Sequence, residues 1–124
     1  MISLFRIARR PDPRMAIVSA PLPHIVTAAL AAANAGDTEA FLDCFTEAGF
    51  VDDWGRQFAG REAIQGWSDA EFIGMNVSLK VTGQITDGRV STVAAQVGGS
   101  GFNGPSHFAF DVAGDRLLSM TITG

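Results

Sequence analysis

The sequence predicts a single α+β domain: a curved antiparallel sheet wrapped around three N-terminal helices. Three observations predict it. Apolar residues recur at helical spacing through the first half of the chain. From Val77 onward the period changes to two, as in strands with one buried face. Asp87-Gly88 and Ala113-Gly114-Asp115 then divide that second half with tight-turn signals, which gives a meander of four strands. Helices segregated from an antiparallel sheet are the α+β arrangement, and a curved sheet capped by helices leaves a cavity between the two layers.

In chain order, residues 1–20 read as an N-terminal extension, with Pro11 and Pro13 against any helix there. Met15 is an alternative start, an ordinary flexible tail being the other reading. The domain is expected over 21–124. A first helix over about 23–35 carries Leu22, Ile25, Val26, Ala29, Leu30 and Ala33 on one face and ends at Gly36. Asp37 caps a second helix with Phe41, Leu42 and Phe45 on one face, ended by Gly49. Short extended pieces follow at Phe50–Asp53 and Arg56–Ala59. A third helix starts after Gly60, turns Ala63, Ile64, Trp67 and Ala70 inward, and stops near Gly74. The expected inward sets of the meander are Val77, Leu79 and Val81; Val93, Ala95 and Val97; Phe108, Phe110 and Val112; and Leu118, Met120 and Ile122.

Composition narrows the function classes. Apolar residues make up 47% of the chain, which suits a packed domain. Four of the nine basic residues, Arg6, Arg9, Arg10 and Arg14, precede Met15; after them five basic residues face twelve acidic ones, a balance of −7. Such an acidic body argues against nucleic acid as partner. No segment has the roughly 20 apolar residues of a membrane span, so no membrane role is expected. Cys44 is the only cysteine, which excludes an intrachain disulfide and a cysteine zinc site and fits a reducing cytoplasm. No His/Asp/Glu cluster suggests a metal and no motif suggests a cofactor. Gly99 to Gly104 fits G-x-G-x-x-G formally, but Pro105 and strand alternation follow where the dinucleotide motif needs a helix. That loop reads instead as a pocket rim with Phe102 at its tip.

Asp52-Asp53-Trp54 is the best chemical candidate. Adjacent strand residues point to opposite faces, so one carboxylate faces the cavity and the other does not. A carboxylate in an apolar cavity suits a general base; the competing reading is a strand end with solvated acids. Arg56, three residues on, is the nearby cation that could pair with it. Trp54, Phe41, Phe45, Trp67, Phe72, Phe108 and Phe110 are candidate pocket walls or plain core. His107 alternates outward with Ala109, and with Thr121 it marks an outer sheet face suited to a homodimer. His24, at the start of the first helix, reads as solvent-facing.

Asn34-Ala35-Gly36-Asp37 resembles the helix junction of the nuclear transport factor 2-like superfamily. Phe58-Ala59-Gly60-Arg61-Glu62-Ala63-Ile64, followed by Trp67, resembles that superfamily's F-x-G-x-x-A-I motif, and Ser106 to Phe110 with Leu118-Ser119-Met120 its final hairpin. The resemblance spans about residues 22–124. It implies the cone-shaped fold, a hydrophobic small molecule as partner and a SnoaL-like or ketosteroid isomerase-like protein. It implies an isomerase, cyclase or hydrolase with Asp53 of Val51-Asp52-Asp53 as general base, or else a non-catalytic dimerisation or ligand-binding module with a filled pocket. At the two positions where the isomerases place oxyanion donors this chain has Ala29 and Ser106, so Ser106 is the second candidate catalytic contact, and little steroid isomerisation is expected.

Overall fold

The computed structural model describes residues 21–124; the expected extension over 1–20 lies outside them. The elements are α1 (His24–Ala35), α2 (Thr38–Asp43), β1 (Phe45–Asp53), β2 (Arg56–Ala59), α3 (Arg61–Glu71), a 3-10 turn (Ile73–Met75), β3 (Ser78–Asp87), β4 (Val90–Gly98), β5 (Gly104–Ala113) and β6 (Arg116–Thr123). The six strands form one curved, open sheet in the order β2-β1-β6-β5-β4-β3. β1 runs parallel to β6 and every other pairing is antiparallel. This is the expected α+β architecture.

The helical junction forms for the reasons legible in the sequence. Val26, Ala29, Leu30 and Ala33 are buried along α1. Gly36 takes φ 70°, which lets the N–H of Asp37 reach back to the Ala32 carbonyl at 2.9 Å. The Asp37 carboxylate accepts the Ala40 N–H at 3.1 Å and starts α2. From α1, Asn34 clamps the edge strand β3: its Oδ1 accepts the Leu79 N–H at 2.6 Å and its Nδ2 donates to the Leu79 carbonyl at 3.1 Å.

Four details depart from the sequence expectation. α2 ends at Asp43 rather than running to Gly49, and Phe45 opens β1 opposite Leu117. An apolar spacing of Phe41, Leu42 and Phe45 fits either path, and pairing with β6 decides it, with the Leu117 N–H bonded to the Cys44 carbonyl at 2.8 Å. Gly49 is no helix terminator; a Cβ there would lie 3.2 Å from the Leu117 carbonyl oxygen, so glycine allows β6 to come close. On α3, Ile64, Trp67 and Ser68 are buried while Ala70 is exposed. At 3.6 residues per turn Ala70 stands about 120° from Ile64. On β6, Asp111 pairs with Ser119 and Val112 with Leu117, which leaves Leu118 as a bulged residue. Leu117, fully buried, therefore takes the inward place expected of Leu118. Val81 keeps the face of Leu79, paired with buried Ala95, but it is exposed on the edge strand, just before a bulge at Thr82.

The helices cover one face of the sheet. Rings join the layers: Phe41 meets Phe45 edge-on at 5.3 Å and Phe72 at 5.5 Å, and Phe72 stacks on Trp67 at 4.8 Å with 23° between planes.

Candidate functional site

A cavity of about 170 Å³ opens between the C-terminal end of α3 and the sheet. β1 contributes Asp53 and the residue after it, Trp54. α3 and the turn behind it supply Trp67, Glu71, Phe72 and Met75. Ser106 and Phe108 come from β5, Ile122 from β6, and Val97, Gly98, Gly101 and Phe102 from β4 and its loop. That loop joins two strands, so the G-x-G-x-x-G spacing carries no dinucleotide fold here. The Ser100 N–H donates to the Met75 carbonyl at 2.8 Å and ties the loop to the 3-10 turn, leaving Phe102 exposed at the mouth.

Strand alternation separates the two carboxylates. Val51 is buried, and Asp53, two residues on, lies on the same side of β1 and lines the cavity. Its Oδ2 accepts the indole N–H of Trp67 at 3.0 Å and a guanidinium N–H of Arg56 at 2.7 Å. Asp52 does not line the cavity; its carboxylate caps the following turn, accepting the Gly55 N–H at 2.7 Å and the Gln57 amide at 3.3 Å. Arg56 spans Asp53 and Glu71, bonding Glu71 at 2.7 and 3.0 Å, with its guanidinium 5.5 Å from the Phe58 ring centre.

The hydrogen bonds from Arg56 hold the Glu71 carboxyl below its usual range, and Glu71 in turn raises the Arg56 guanidinium. Glu71 thus binds its proton more weakly in the folded chain than in the unfolded one. The stability it contributes is complete above about pH 4.5 and is lost as pH falls through the lowered folded value. The Glu71 side chain is 43% exposed, so the expected loss is under about 1 kcal/mol. Melting curves from pH 6 to 3 should show this step in the wild type and lack it in Glu71→Gln; identical curves would mean that the pair does not form.

Ser106 is buried, at 4% exposure, and its hydroxyl makes no hydrogen bond among the described residues, leaving it free to meet a ligand. Of the seven aromatic candidates, Trp54, Trp67, Phe72 and Phe108 line the cavity. Phe41, Phe45 and Phe110 do not; they are buried in the core, with Phe41 behind Phe72. His24 and His107 are exposed, the His107 Nδ1 lying 3.2 Å from the Gly124 carbonyl oxygen. Burial pushes the Cys44 thiol up and keeps it protonated. Sequence reasoning missed Glu71 and Met75. Glu71 had a signal, since it follows Trp67 by four residues on one helix face; Met75 sits on a 3-10 turn with no period to reveal it. Among the described residues no group of three His, Cys, Asp or Glu could hold a metal, and no helix is long and apolar enough to cross a membrane.

The fold has close structural neighbours. A protein proposed to be a polyketide cyclase from Sinorhizobium meliloti superposes with a TM-score of 0.75 at 26% identity, covering 82% of this chain and 95% of that one. A protein with a ketosteroid isomerase-like fold from Catenulispora acidiphila, in complex with trimethylamine, does so at 0.71 and 29% identity, covering 84% and 87%. The chain belongs to the nuclear transport factor 2-like superfamily. The epoxide hydrolase/cyclase-like enzyme SalBIII, of pyran ring formation in salinomycin, shares the fold at TM-score 0.70 and 19% identity, covering 79% of this chain and 85% of its own. No family model matches the chain and no curated protein matches its sequence. Within this superfamily the neighbours support the SnoaL-like group. Ala29, at the helix position where the isomerases have a donor, is buried and does not line the cavity.

Proposed function

We propose that this nuclear transport factor 2-like protein binds a compact, largely apolar molecule in the cavity beside α3, and that Asp53 takes a proton from it. One observation carries the reading. Asp53 stands on an aromatic wall with Oδ2 held by Trp67 and Arg56, so the carboxylate is aimed before any ligand arrives. Ser106, without a partner among the described residues, is the second polar contact. A cavity of about 170 Å³ is of the order that admits a single benzene ring, which favours a ligand far smaller than a steroid. The trimethylamine bound by the Catenulispora protein is a ligand of that compactness.

The chain contains two Trp and no Tyr, and both Trp line the cavity, so its near-ultraviolet emission reports on the pocket. Compact ring ketones such as cyclohexanone are expected to change that emission, and the wild type should speed deuterium exchange at their α-carbons. A 5-ene-3-ketosteroid should not isomerise. Exchange at the buffer rate overturns the proton transfer. Pairing with Arg56 favours a second reading, a binding module without turnover, whose signature is a ketone that binds and does not exchange.

The same reading assigns the outer sheet face to a homodimer. There His107 is exposed, and Ala109 and Thr121 are half-buried cross-strand partners. Light scattering at micromolar concentration should give twice the 13.1 kDa chain mass; a clean monomer removes the assignment.

A further inference from the structure

We infer that the ligand selected by this cavity carries a small alkylated ammonium group. The inference rests on reading the cavity as a ligand pocket, and names the chemistry of its occupant. The wall bears two carboxylates, Asp53 and Glu71, and no basic side chain. It also bears five aromatic rings, Trp54, Trp67, Phe72, Phe102 and Phe108, of which Trp67 has its faces against Phe72 and Phe58. Aromatic faces carry the negative end of a quadrupole, and rings surrounding a cavity hold quaternary ammonium groups better than neutral groups of the same shape. The guanidinium at the site, Arg56, is engaged by Asp53, by Glu71 and by the face of Phe58. Two carboxylates against one guanidinium leave a net charge of −1 beside the rings.

An anionic ligand would meet the opposite of what it needs. The indole N–H of Trp67 is committed to Asp53 at 3.0 Å, and the Arg56 fork is closed by carboxylates. A wholly neutral hydrocarbon would leave the carboxylates at the wall without a new partner. Ser106 supplies the second, independent sign of a ligand: a hydroxyl on a residue 4% exposed, on the cavity wall and without a partner among the described residues. It suits a hydroxyl or carbonyl borne by the same molecule. The structure thus matches a compact amino alcohol or amino ketone, alkylated at nitrogen, with a head about the size of one ring.

Choline and 3,3-dimethylbutan-1-ol test this, being alike in shape and different in charge. Tryptophan emission would be titrated with each at pH 7. Choline should bind about tenfold more tightly. Added salt should weaken choline and leave the alcohol unaffected, and Glu71→Gln should shrink the ratio. Equal affinities overturn the ammonium inference and leave the pocket reading standing. Ring ketones that bind where choline does not would also overturn it alone. Silence from every compound overturns the pocket reading as well.

Discussion

Replacing Trp67 with alanine is expected to lower stability by about 3–5 kcal/mol, the range for deleting a large buried aromatic. The ring is 3% exposed and packs between Phe72, at 4.8 Å, and Phe58, at 6.1 Å. It is the tie between α3 and the sheet: its indole N–H reaches Asp53 across fourteen residues of chain. Alanine would remove the stack, the bond to a carboxylate and the filled volume together. Trp67→Phe separates these terms, because it keeps a ring between Phe72 and Phe58 but removes the donor. That variant should lose about 1.5–3 kcal/mol, the value of a hydrogen bond to a charged group. Urea unfolding followed by circular dichroism measures both. A loss under about 1 kcal/mol for Trp67→Ala would show that α3 does not dock through this residue.

Asp53→Asn is expected to lower α-proton exchange on a bound ketone by about 10²–10⁴-fold, the usual share of a general base. The side chain keeps its volume, and the amide oxygen can still accept the Trp67 N–H. What folding loses is the ion pair with Arg56, whose side chain is 53% exposed, and the charge behind the Trp67 bond, so the stability cost should be smaller than that of Trp67→Ala. A large chemical effect with a small folding effect is the combination that marks a group acting on the ligand. Asp52→Asn is the control, since that carboxylate serves the Gly55 turn and does not line the cavity; exchange should be unchanged. Should the two variants behave alike, the assignment of the base to Asp53 is wrong.

The sequence by itself determined the element order and most of the buried faces. Periodicity and turn chemistry are local: Gly36 with Asp37 at the helical junction, Gly88 at the hairpin, and the alternation of Val93, Ala95 and Val97 all act within a few residues. It also held a cue to which carboxylate turns inward, because Asp53 shares a strand face with the apolar Val51. Only the tertiary structure decided whether an aromatic is wall or core. Phe41 and Phe72 are equally apolar in sequence and both buried, yet only Phe72 lines the cavity, with Phe41 behind it. Hydrophobic pattern records that a side chain avoids water, whereas the distance to an empty volume depends on how distant elements stack. The strand start at Phe45, the bulge at Leu118 and the Asp53–Arg56–Glu71 array followed the same rule. Each needed a partner from another element, Leu117, Asp111 and Glu71 respectively, and no local spacing specifies such pairings.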